Sequence, residues 1–151
     1  MIIFGFGWAK PVPVNPYYFR NRKQGMSLVA LAGPLSNFLF AIVSLLLVRL
    51  LFLIPITSQI AFSILKGLVD FLMILSILNV GLGVFNLIPI SPLDGSKILI
   101  SVLPDHIYNK ILQFERYGFL VLILLLNIPV FENAITAVRT WIYDGLYNLI
   151  F

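Results

Sequence analysis

The chain has no cysteine, and among its 151 residues there are one histidine and six acidic residues. Without thiols, disulfide staples and thiolate metal sites are excluded. The lone histidine, His106, lies in a polar connection and does not with one acid make a zinc site. Charge is scarce as well: 11% of residues are Asp, Glu, Lys or Arg, where a soluble domain carries roughly a quarter. What fills the chain instead is apolar, at 60% hydrophobic residues and a mean hydropathy of +1.03. This is the composition of an integral membrane protein. Its formal charge of +4 is spread along the edges of the apolar runs rather than gathered in one basic patch, so the cations orient spans and nucleic acid is not an expected partner. At about 20 residues per span, there is room for three or four spans in one membrane-embedded domain. The expected fold is all-α, a polytopic membrane helical bundle with about three transmembrane helices.

Taken in order, residues 1–8 are apolar but too short for a span and lack the basic leader of a signal peptide. They read as the tail of a span that begins elsewhere, or as a short membrane-surface anchor. Residues 1–24 form an extended, Pro-rich membrane-surface segment, because Pro11, Pro13 and Pro16 forbid a helix. It is either a rigid loop or an edge strand to which an unwound peptide could add. Transmembrane helices are expected over 27–54, 60–88 and 111–130. Pro34 either kinks the first or opens a helix that starts there, and Arg49 can snorkel to the far surface. Lys66 and Asp70 are spaced to pair on one helix face. Over 133–151, Ile135, Val138, Ile142, Leu146 and Leu149 recur at helical spacing among polar residues, which favours an interfacial amphipathic helix over a fourth span. Arg20, Arg22 and Lys23 mark the first loop as cytoplasmic, and the basic connection after Asp94 places that acid on the same side.

The stretch from Ser76 to Gly95, SILNVGLGVFNLIPISPLDG, organises the rest. Ser76, Asn79, Gly83 and Asn86 share one helix face, which is not expected to look at lipid. Pro89 and Pro92 stop the helix, and Asp94 follows where hydrocarbon should end. A broken backbone with an acid at membrane depth is tolerated only where protein or water surrounds it, so the stretch is a candidate site. Asp94 also stands where it could cap the short amphipathic helix that begins at Gly95. Upstream, GPLSN sets Gly33 and Asn37 one turn apart, with Gly33 permitting close helix approach.

FGWAKPVPVNP, GPLSN and NLIPISPLDG, in this order and spacing, resemble the site-2 protease family of intramembrane zinc metalloproteases, and the chain looks like the C-terminal portion of a compact bacterial or archaeal member. The resemblance implies zinc as cofactor, with Asp94 of the LDG motif as its third ligand. It implies that Asn86 and Pro89 shape the approach to the metal, and that Gly33 and Asn37 pack on the helix bearing the other ligands. It also implies a transmembrane protein substrate, the lipid bilayer as surroundings and the cell membrane of a prokaryote as location. The family's His-Glu-x-x-His helix, with two zinc ligands and the general base, has no counterpart in these residues. A truncated protease, inactive alone and with no catalytic residue of its own, is therefore expected. The alternative is a non-catalytic membrane scaffold that binds transmembrane segments or a partner protein.

Overall fold

The computed structural model describes residues 18–56, 58–104, 107 and 117–151. The Pro-rich segment up to residue 17, His106 and the expected start of the third span at 111–116 lie outside these residues. Among those described, all regular structure is helical: α1 (Arg22–Leu51), α2 (Gln59–Asn86), α3 (Asp94–Val102), α4 (Gly118–Leu126) and α5 (Pro129–Ile150). The helical membrane bundle expected from composition is the observed architecture.

Two helices, α1 and α2, are long and apolar enough to cross a membrane, and α4 with α5 supplies a third crossing if that bent pair counts as one. With 30 and 28 residues, α1 and α2 run about 45 and 42 Å at 1.5 Å per residue, longer than the roughly 30 Å hydrocarbon core. Asn21 caps α1 by accepting from the Gln24 N–H, and Ser58 caps α2 by accepting from Ala61. Helix α1 passes through a fully buried Pro34 without ending; the alternative of a helix starting at that proline is excluded. Lys66 and Asp70 are both exposed, and among the described residues the ion pair that forms is instead Lys97–Asp94. Holding two long exposed side chains together costs entropy that a screened attraction barely offsets.

The α1–α2 contact explains the polar seam. Ser76 is fully buried and its hydroxyl donates to the Ala41 carbonyl of α1 at 3.1 Å. Gly83 is buried where an added Cβ would stand 2.8 Å from the Phe38 ring, so the glycine lets the two helices close. Ala41, Val80 and Val84 form a core there, with Phe38 and the α5 residues Ile135, Ile142, Tyr143 and Leu146 packed around it. Asn79 satisfies itself by donating back to the Leu75 carbonyl.

The last third of the chain departs from expectation. Of the span expected over 111–130, residues 117–130 are described, and there α4 turns by 86° into α5. The break has a local cause: Ile128 is extended, and Pro129, in the first turn of α5, has no N–H to give back to the preceding turn. Helix α5 meets the bundle with one face. It packs lengthwise and antiparallel to α2, from Ile135 beside Val84, through Arg139 against Gly81, to Tyr143 at Met73. At its end the Arg49 guanidinium donates to the Ile150 carbonyl, and Phe52 meets Phe151 edge-on. Of the apolar positions at helical spacing, Ile135, Ile142 and Leu146 face the bundle, while Val138 and Leu149 are exposed.

Candidate functional site

The site begins where α2 stops. Asn86 is its last residue, and Leu87 closes the helix by donating to the Gly83 and Val84 carbonyls. Ile90 then donates to Ile88 at 2.8 Å, and Leu93 to Ile90 at 2.9 Å. The second of these closes a four-residue turn, Ile90–Leu93, with a cis Ser91–Pro92 bond inside it. Leu93 in turn accepts from both the backbone N–H and the hydroxyl of Ser96, at 3.1 and 2.7 Å. Thus the prolines cause no loose loop; successive hydrogen bonds run from Ile90 to Ile88, from Leu93 to Ile90 and from Ser96 to Leu93.

Asp94 is the first residue of α3, so its carboxylate sits in the first turn rather than ahead of it. Negative charge is favoured there by the helix dipole. Gly95 is buried, and a Cβ on it would fall onto the Leu87 and Ile88 carbonyls. Only glycine lets α3 start this close to the end of α2. The motif's last two residues therefore have separate duties, an acid presented and a backbone approached.

Helix α3 lies antiparallel along the first turns of α1. One end is fixed by Lys23, whose ammonium donates to the Leu103 carbonyl at 3.0 Å. At the other, a Cβ on Gly33 would stand 2.6 Å from Asp94 Oδ2. The carboxylate thus occupies the space that glycine leaves open. Its other oxygen faces Lys97 at 3.9 Å, with the Asp94 side chain 32% exposed. At that exposure the pair holds the acid only weakly, which leaves it available to a stronger cation.

Of the residues singled out from sequence, Asp94 and Gly33 are brought into contact. Asn37 is half-buried one turn further along α1, Asn86 is half-buried at the end of α2, and Pro89 is exposed in the connection. Lys23 and Gly95 carry the geometry without having been singled out for it. The Gly95 requirement could have been anticipated from an acid-glycine pair after two prolines. The Lys23 tie could not, because it joins residues 80 positions apart.

A zinc site needs about three protein ligands and an open position. Among the described residues no group of three or more His, Cys, Asp or Glu side chains comes together. Asp94, cradled by Gly33, fits the part of one ligand; these residues do not by themselves fit the metal.

Residues 54–127 match the model of peptidase family M50. The chain is 38% identical over 129 residues to YwhC of Bacillus subtilis, a match covering 85% of this chain and 58% of that protein. It is 37% identical over 98 residues to "Zinc metalloprotease MJ0392" of Methanocaldococcus jannaschii, covering 65% and 23% of the two chains. To "Protease RseP" of Photorhabdus luminescens it is 33% identical over 73 residues, 45% and 32% of the two. The chain thus spans little more than half the length of YwhC and less of the others. No solved structure matches the chain.

Proposed function

Because the chain belongs to peptidase family M50, the site-2 protease-like zinc metalloproteases, we propose that it is the aspartate-bearing part of an intramembrane zinc protease, acting on peptide bonds of transmembrane proteins. The observation that carries this reading is the Asp94 carboxylate resting in the gap left by Gly33. In this reading Asp94 is a metal ligand, and Asn86 and Pro89 border the path by which a substrate strand reaches it. Asn37, on the Gly33 face, packs against the element that bears the remaining ligands. With one histidine in the sequence, those ligands and the general base come from a His-Glu-x-x-His helix not contained in these 151 residues. The basic first loop puts Asp94 toward the cytoplasm of a prokaryotic cell.

The test is metal stoichiometry and affinity. The purified chain alone should hold no stoichiometric zinc, and the chain together with a His-Glu-x-x-His helix should hold one. Asp94→Asn should then weaken zinc by about 100-fold or more, since even outer-shell partners of a metal are worth 10–100-fold, and proteolysis should stop with membrane insertion intact. Unchanged affinity in that variant removes Asp94 from the metal site and favours the non-catalytic scaffold.

A further inference from the structure

A second glycine lies directly behind the Asp94 turn. We propose that Gly118, the first residue of α4, is a positioning residue for Asp94: having no side chain, it lets α4 back onto the Ile90–Leu93 turn and so sets where the carboxylate stands against Gly33. The importance of this role rests on the assignment of Asp94 as a ligand; the geometry does not.

Gly118 is buried, and a Cβ there would overlap the Ser91 carbonyl oxygen and lie 2.7 Å from Ser91 Cβ. Non-bonded carbons pack at about 3.5–4.0 Å, so any side chain must drive the turn and the helix apart by about 1 Å. The atoms met are mainly backbone and cannot swing aside as a side-chain tip would. One turn along the same face, Leu122 packs with Ile88 and Leu93 in a second core, joined by Phe85, Ile90, Phe131 and Ile135. Helix α4 therefore touches the turn on both sides of its prolines, through a bare backbone at Gly118 and an apolar side chain at Leu122. The turn cannot absorb the displacement. Ile90 to Leu93 and Leu93 to Ser96 are linked by hydrogen bonds, and Gly95 is pressed on the Leu87 and Ile88 carbonyls. A push on Ser91 is passed to the start of α3, where Asp94 meets Gly33.

Since the chain has no cysteine, the position of Asp94 can be read by cross-linking. In the chain carrying Gly33→Cys and Asp94→Cys, a disulfide between α1 and α3 should form readily under mild oxidation, scored by blocked maleimide labelling. Adding Gly118→Val should slow that reaction about tenfold, because disulfides tolerate little departure from their Cβ spacing, and Gly118→Ala should slow it less. A second pair, Ala41→Cys with Ser76→Cys, reports the α1–α2 contact and should cross-link equally well with and without Gly118→Val. An unchanged rate at 33–94 overturns the proposal. Loss at both pairs also overturns it, because Gly118 would then serve folding of the bundle as a whole. Neither outcome bears on whether Asp94 binds zinc, which the affinity measurement with Asp94→Asn decides separately.

Discussion

Replacing Gly83 by valine should destabilise the bundle by about 1–3 kcal/mol, the usual cost of overpacking, measured as thermal unfolding in detergent. The Cβ alone would stand 2.8–3.2 Å from three atoms of the Phe38 ring. Gly83→Ala is a finer test: removing a helical glycine gains about 1 kcal/mol of propensity, while the single Cβ asks only a ring edge to give way. The two terms nearly cancel, so a change within about 1 kcal/mol is expected. Ser76→Ala should cost about 0.5–1 kcal/mol, in the range of interhelical hydrogen bonds in membranes. The loss stays small because the Ala41 carbonyl, inside α1, keeps its helical partner. At Asp94 and Gly33 the same reasoning changes direction. There the space left by a glycine is filled by a carboxylate rather than a ring, and what a side chain at position 33 would disturb is the acid.

Among the elements, α5 has the least support from its own composition and the most from its neighbours. It is not apolar enough alone to qualify as a span, and it is held along α2 by Ile135, Ile142 and Leu146 and at its end by Arg49. A helix C-terminus leaves carbonyls without intrahelical partners, and a cation there also meets the favourable end of the dipole. Arg49→Met should therefore raise amide hydrogen exchange over the last turn of α5 and leave α2 unchanged. An equal rise in both helices would show that Arg49 supports the bundle rather than that terminus. Helix α4 behaves differently again. It stands as a plate behind the Asp94 turn, through Gly118 and Leu122.

For the whole molecule, α1 and α2 form an antiparallel pair whose connection around Ile56 lies at the end opposite Asp94. The Asp94 end carries Lys23 and Lys97, and charge asymmetry of this kind sets orientation in membranes. Single cysteines introduced at Lys97 and at Ile56, both exposed positions, should react with a membrane-impermeant maleimide from opposite sides of the bilayer in oriented vesicles, with Lys97→Cys labelled from the cytoplasmic side. Labelling of both from one side would mean that the α1–α2 pair does not cross.

What could be read from the chain followed from terms that act locally. Hydropathy over 20-residue stretches foretold helices in a membrane, because lipid leaves the backbone no partner but itself. The period of Ser76 and Gly83 foretold a buried seam, and Pro89 and Pro92 the break before Asp94. Other features depend on where distant segments meet. The polar pattern of 133–151 has the same period whether water or helix α2 lies beside it, so only packing could decide that Ile135, Ile142 and Leu146 meet the bundle. Gly118 is one glycine among ten until the Ser91 carbonyl is found against it. The sequence by itself determined that an acid follows a proline break at the end of an apolar helix; tertiary contact alone decided that Gly33 would receive it, since that pairing joins two helices across an intervening third.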